Sequence, residues 1–205
     1  MKTVFVDPER CVACHQCEVA CLVEHSQSKN LYGALSESPT PRRFIVATPG
    51  IRLNSSFPSK CRHCNPAPCQ AVCPTGAISR NADMDIVLID GSKCIVCGMC
   101  AMVCPFDVIT YFPTAKVRPE RTVAIKCDNS VDRQHEGMMP ACVETCKVGA
   151  LQFGDVNELV KKARTQIGKS VSIAIGLIKP EETRVPAHFQ SWRDWGESVT
   201  QINER

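Results

Sequence analysis

Long apolar runs are missing from this sequence. No stretch approaches the roughly 20 residues that a membrane-spanning helix requires, so any membrane association is expected to pass through a partner. The N-terminus, Met1-Lys2-Thr3-Val4-Phe5-Val6-Asp7-Pro8, carries no secretory signal, and no twin-arginine leader precedes Cys11. The expected location is therefore cytoplasmic, peripheral to the inner membrane face only through a partner. Aromatic residues are scarce, at 5% with two Trp and two Tyr. The basic residues are scattered rather than clustered, and both features speak against a nucleic-acid surface. There is no phosphate-binding glycine loop, no His–carboxylate constellation and no metal motif outside the cysteines, so nothing marks a substrate site and an enzyme is not expected.

What the chain has in abundance is cysteine: 15 in 205 residues, about seven per cent and several times ordinary usage. A secreted disulfide scaffold is the wrong explanation, because the count is odd, the spacing is C-x₂-C and no signal is present. From Lys93 to Pro105 the chain reads Lys-Cys-Ile-Val-Cys-Gly-Met-Cys-Ala-Met-Val-Cys-Pro. Three thiolates two residues apart can curl round one [4Fe–4S] cube, while the cysteine after the next turn points away from it. This is the signature of bacterial ferredoxins, where the fourth cysteine reaches a different cluster. A zinc site is the competing reading, but a tetrahedron closed by C-x₂-C pairs has no natural place for the third cysteine of the run.

The pattern recurs. Cys11, Cys14, Cys17 and Cys21 repeat the x₂-x₂-x₃ spacing, and Val4–Cys11 aligns with Val87–Cys94 without a gap at an offset of 83. The second group is Cys61, Cys64, Cys69 and Cys73. Lys60-Cys61-Arg62-His63-Cys64 aligns with Lys126-Cys127-Asp128-Asn129-Ser130 at an offset of 66. Cys69 through Ile78 aligns with Cys142 through Leu151 at an offset of 73. The first and third groups are thus one repeat type, the second and fourth the other. The fourth group, Cys127, Cys142 and Cys146, has Ser130 where a cysteine should recur. His63, inside the second group, reads as a residue behind the ligands or facing solvent rather than as a ligand. The gap from Cys73 to Cys94 suits one compact two-cluster unit in which the fourth cysteines swap. Cys61, Cys64 and Cys69 would then pair with Cys104, and Cys94, Cys97 and Cys100 with Cys73.

Between these groups, Arg43–Ala47 alternates and predicts a strand pair or hairpin within a Pro- and Gly-bearing insertion. Val108–Phe112, Thr122–Ile125 and Ile86–Ile89 read as strands. Asp155 can cap a helix with Val156, Leu159, Val160, Ala163 and Ile167 on one face, ending at Gly168. Val171, Ile173 and Ile175 alternate like a strand. The tail from Pro180 is polar, and its Trp192 and Trp195 suit either packing of one end or docking onto a partner.

Four groups in this order resemble the four-cluster ferredoxin-type electron-transfer subunits of molybdopterin oxidoreductases and hydrogenases, most like the CooF-type iron–sulfur partner of carbon monoxide dehydrogenase. The resemblance covers about residues 1–155. It implies an α+β fold of two bacterial-type two-cluster ferredoxin units, an internal repeat, with a hairpin/loop insertion and a C-terminal helical extension. The outer unit would be 1–21 with 115–155, the insertion 22–57, the inner unit 58–114, and the helix, strand and tail 156–205. It implies four [4Fe–4S] clusters. In the outer unit, Cys11, Cys14 and Cys17 would share one with Cys146, and Cys127, Ser130 and Cys142 would share another with Cys21. The sequence alone also allows tandem pairing of the first group with the second and the third with the fourth. At Ser130 three outcomes are open besides an absent cluster: serine ligation through a harder donor, replacement by Asp128, Asp132 or His135, or a [3Fe–4S] cluster.

The resemblance implies an electron carrier between carbon monoxide dehydrogenase and an acceptor, either a hydrogenase or a flavin-dependent NAD(P) reductase. The alternative is the iron–sulfur subunit of a formate dehydrogenase, hydrogenase or molybdopterin oxidoreductase. The formal charge of +3 counts cysteines as neutral. With four clusters of about −2 each the loaded protein would stand near roughly −5. Arg10, Lys60, Arg62, Lys93, Lys126 and Lys147, all beside ligands, would offset that charge.

Overall fold

The computed structural model describes residues 2–50, 56–114 and 120–177. It opens with β1 (Lys2–Val6), a 3₁₀ turn at Pro8–Arg10 capped by Asp7, and α1 (Gln16–Glu24). Then come α2 (Leu31–Ser36), β2 (Ile45–Pro49) and β3 (Ser56–Lys60). The middle of the protein holds α3 (Pro68–Ala71), β4 (Ile78–Asn81), β5 (Ile86–Ile89) and α4 (Met99–Met102). They are followed by β6 (Thr110–Thr114), β7 (Arg121–Ile125), α5 (Val131–His135) and α6 (Ala141–Glu144). The described residues close with β8 (Leu151–Asp155) and α7 (Val156–Ala174). The fold is α+β, as the sequence implies.

Every sheet among the described residues is a two-stranded antiparallel pair: β1 with β8, β2 with β3, β4 with β5, and β6 with β7. The repeats meet residue for residue. Ile78 pairs with Ile89 in one sheet, and their counterparts Leu151 and Val6 pair in another. The next bond along is also shared: Asp90 N donates to Ala77 O at 2.7 Å and Asp7 N to Ala150 O at 2.8 Å. Gly76 and Gly149 enter these strands at φ +61° and +68°, a conformation that glycine adopts without a Cβ penalty. Likewise the hairpins β2–β3 and β6–β7 each lead into a lysine followed by the first cysteine of a group.

Two-stranded pairs are marginal by themselves, so they are held by what packs on them. One core gathers Ala77, Ile78, Val87, Ile109 and Val123 with Cys94 and Cys100, and Cys69, Cys73 and Cys104 pack against it. The other gathers Val4, Val6, Ile45, Val143 and Leu151 with Cys21 and Cys142, flanked by Cys17 and Cys146. Cysteines thus occupy the middle of both cores, where a protein of this length would ordinarily place branched aliphatics.

The chain divides at Leu159 into two units, and all fifteen cysteines lie in the first. The expected hairpin in the insertion is present as β2 and β3. Helix α2 has no counterpart among the sequence expectations; its start is set by Asn30, whose Oδ1 accepts from Gly33 N at 2.7 Å. Asp155 caps α7 as the sequence predicts, accepting from Asn157 N at 2.9 Å. The expectation that α7 ends at Gly168 and gives way to a strand over Val171–Ile175 is corrected. The helix continues past Gly168 to Ala174. Mid-helix glycine costs only about 1 kcal/mol, whereas a lone strand needs an edge to pair with. The polar tail and Trp192 and Trp195 lie outside the described residues.

Candidate iron–sulfur centres

Each cysteine group begins with the same backbone turn. Two residues after the first cysteine the backbone enters the left-handed region, at Ala13 (φ +54°), His63 (+49°), Val96 (+60°) and Asn129 (+62°). That conformation costs a residue with a Cβ about 1 kcal/mol or more, and it is held four times over. Its effect is to turn N–H groups inward onto sulfur. His63 N donates to Cys61 Sγ at 3.4 Å and Asn129 N to Cys127 Sγ at 3.3 Å, a matched pair in the repeat. A second left-handed residue starts the following helix, Gly98 (φ +83°) in the third group and His15 (+57°) in the first.

The turns bring the thiols together in sets. Cys61, Cys64, Cys69 and Cys104 line one cavity of about 340 Å³ counting its mouth, together with His63 and Lys126. Cys73, Cys94, Cys97 and Cys100 line a second of about 330 Å³, with Tyr111 and Ala124. In the other half of the repeat, α1 packs on α6. Buried Cys21 and Cys142 share a core there, and the electrostatic neighbours of the Cys21 thiol include Cys127 and Cys142. Cys17 feels Cys11 and Cys14 as well as Cys142, and Cys146 packs on the same core. In the structure the first group therefore lies against the fourth and the second against the third. Each set surrounds a cavity, which suits a cube held at its corners.

Ser130 sits beside this fourth set. It is buried at 8% exposure, takes φ +51° and stands at the N-cap position of α5, where its side chain makes no capping bond. Of the three side chains that could replace it, Asp132 and His135 are exposed. Asp128 Oδ1 accepts from Ser130 N at 3.0 Å and also bonds His25 Nε2 at 3.0 Å. His25 is a site residue that the sequence reading misses. Its Nδ1 donates to Cys21 O at 2.7 Å, its ring meets Phe44 edge-on at 4.2 Å, and Phe44 N donates to Cys21 Sγ at 3.1 Å. A histidine four residues past the last ligand of an x₂-x₂-x₃ run is the signal that could have found it.

The residues fit an iron–sulfur cluster on one further observation. His63 is 2% exposed, and its Nδ1 accepts from Val87 N at 3.1 Å, so the hydrogen resides on Nε2. Burial, then Lys126 and Lys60, push its pKa down to about 3, so the ring is neutral. Among the described residues His63 Nε2 is the one buried side-chain nitrogen or oxygen without a partner. A buried donor with nothing to donate to is costly, and the ring lines a cavity walled by four thiols. Sulfur in that cavity would supply the missing acceptor. His63 thus lies buried in the wall of this cavity and does not face solvent.

Several of the buried thiols are poor anions without iron. Burial first, then neighbouring thiolates and a carboxylate, raise Cys17 to about 12, and burial raises Cys142 to about 11. Burial raises Cys21 and Cys127 as well. Iron ligation needs the thiolate, so each thiol must give up a proton. Below its pKa this costs about 1.4 kcal/mol per pH unit and thiol. Anaerobic reconstitution is accordingly expected to be more complete at a mildly alkaline pH than at a mildly acidic one, with proton release, as iron content per protein molecule would register.

Hydrogen bonds to sulfur tune a cluster's potential. Tyr111 Oη lies 3.2 Å from Cys100 Sγ, and burial together with that bond holds its phenol above the usual range. As a donor to a ligated thiolate it favours the reduced cluster. Tyr111→Phe is expected to lower the potential of the Cys73/Cys94/Cys97/Cys100 site. A bond worth about 1 kcal/mol corresponds to about 40 mV for one electron, measurable by redox titration.

A doubled unit of this kind, with thiols gathered by paired C-x₂-C runs around matched cavities, defines a ferredoxin-type iron–sulfur protein. Residues 54–156 match the family described as 4Fe-4S dicluster domain. The protein belongs to that family. It is similar to an iron-sulfur protein of Rhodospirillum rubrum, 37% identical over 162 residues that cover 75% of this sequence and 82% of the relative. Electron transport protein HydN of Escherichia coli is 33% identical over 165 residues, 76% of this sequence and 89% of its own. The thiosulfate reductase electron transfer subunit PhsB of Salmonella typhi is 35% identical over 153 residues, 74% of each. These relatives are named as electron-transfer or iron–sulfur components rather than catalytic subunits. Among the described residues no helix is long and apolar enough to cross a membrane.

Proposed function

We propose that this protein is a four-cluster relay that passes single electrons between a catalytic oxidoreductase subunit and an acceptor. The ligand sets are Cys11/Cys14/Cys17/Cys146, Cys61/Cys64/Cys69/Cys104, Cys73/Cys94/Cys97/Cys100 and Cys21/Cys127/Cys142. The observation that carries the reading is the pair of near-equal cavities, each walled by four thiols drawn from two groups. The clusters supply the one-electron chemistry; the protein's residues hold them, exclude water and set their potentials. Cys14 and Cys97, counterparts in the repeat, are exposed, whereas Cys21, Cys127 and Cys142 are buried. Electrons enter or leave at exposed edges, since tunnelling favours short distances, and the buried site serves between them.

At the fourth site we assign a [3Fe–4S] cluster on three thiolates. Ser130 is buried beside it, but a serine hydroxyl gives up its proton far less readily than a thiol, so the corner it faces is the weakest. The donor is carbon monoxide dehydrogenase, a reading supported by the overall resemblance of the sequence to its CooF-type partner. The acceptor is a hydrogenase or a flavin-dependent NAD(P) reductase. The second reading, an electron-transfer subunit of a molybdopterin oxidoreductase, is favoured by the similarity to the thiosulfate reductase electron transfer subunit. Anaerobic mixing separates the two. Bleaching of the visible cluster bands by carbon monoxide with catalytic dehydrogenase supports the first, and bleaching only through a reductase's catalytic subunit supports the second.

A further inference from the structure

Lys60 and Lys126 occupy the same place in the two repeats, each directly before the first cysteine of its group. Both are buried, at 2% and 6% exposure. Burying an ammonium is costly unless opposite charge compensates it, yet neither has a carboxylate partner among the ion pairs of the described residues. Their hydrogen bonds go to neutral oxygens. Lys60 Nζ donates to Asn129 Oδ1 at 3.1 Å, reaching from the second group into the fourth. Lys126 Nζ donates to Val87 O and, at 3.2 Å, to Cys127 O. Its side chain lines the cavity of Cys61, Cys64, Cys69 and Cys104, so it reaches from the fourth group into the second. Asn129 and His63, counterparts at the fourth position of each motif, are each 2% exposed and complete the junction.

We propose that Lys60 and Lys126 are crossed counterions, each neutralising and raising the potential of the cluster held by the other lysine's motif. The inference rests on the ligand sets proposed above. A cluster of net negative charge is the compensating anion that each buried ammonium lacks, and a fixed cation near it favours the added electron. Because each lysine belongs by its backbone to one site and by its charge to the other, the pair couples the two halves of the repeat where they meet. The two lysines are positioning residues for electron transfer between those halves, not ligands.

The test is a redox titration, followed by EPR, of the holoprotein carrying Lys60→Met or Lys126→Met, with signals assigned through Cys127→Ala and Cys69→Ala. Lys60→Met is expected to lower the potential of the Cys21/Cys127/Cys142 cluster more than that of the Cys61 cluster, and Lys126→Met to do the reverse. If a variant loses a cluster, selective loss of the crossed one supports the proposal and loss of the lysine's own motif cluster overturns it. Unchanged potentials, equal shifts at both sites, or a shift confined to the lysine's own motif also overturn it. Lys60→Gln and Lys126→Gln keep a donor and remove only the charge, and they give the same reading if the Met variants do not accumulate. Iron and acid-labile sulfide in the unsubstituted protein show separately whether the clusters themselves are present.

Discussion

Removing the iron from this protein is expected to cost it its fold. Cysteines sit at the centre of both cores, and two cavities of about 340 and 330 Å³ lie among them. A preformed site rarely exists in an unfolded polypeptide, so the free energy of cluster binding is itself folding free energy, and a whole domain is stabilised by only about 5–15 kcal/mol. The four sheets among the described residues are two-stranded and marginal by themselves. The left-handed turns at Ala13, His63, Val96 and Asn129 add local strain that ligation must hold. Chelation under anaerobic, reducing conditions is therefore expected to abolish near-ultraviolet dichroism and cooperative unfolding, and to leave residues 2–155 open to proteolysis. An iron-free protein that still melts cooperatively, at an unchanged temperature, would contradict the view that the clusters are the core.

The second large effect concerns Ser130. Restoring the missing thiolate with Ser130→Cys is expected to complete the fourth site. Iron should rise from about fifteen to about sixteen per protein molecule, the sum of the four cluster types. The oxidised protein should lose the paramagnetic signal of its three-iron cluster, since an oxidised [4Fe–4S] cube has paired spins. The backbone permits the change, because Ser130 is buried in the same motif as Cys127 and its N–H is already anchored on Asp128 Oδ1. Ser130→Ala is expected to leave both iron content and signal as they are. If the Ala variant instead loses or alters the cluster, the serine oxygen is a ligand and the three-thiolate assignment is wrong.

Much of this arrangement is legible without coordinates. Cysteine spacing is a short-range property of a polypeptide that must wrap a cube, so the four groups, the offset repeats and the break at Ser130 stand in the sequence itself. The hairpin over β2 and β3 is legible because Arg43–Ala47 alternates, and the cap at Asp155 because its carboxylate serves the backbone just after it. What stays hidden depends on distant partners. His25 gains its place from Asp128 and Phe44, residues that no local pattern links to it. The crossing of Lys60 and Lys126 depends on how two repeats face each other, although the lysines align perfectly in one dimension. The strand expected at Val171–Ile175 fails because alternation alone does not supply an edge to pair with, and α7 simply continues.

The most direct measurement is the iron and acid-labile sulfide content of protein purified without exposure to oxygen, with zinc determined on the same sample. The expected result is a brown protein with about fifteen irons and about sixteen sulfides per molecule, and no stoichiometric zinc. A colourless protein holding zinc and no labile sulfide would contradict it, and with it the assignment of these cysteines to electron transfer.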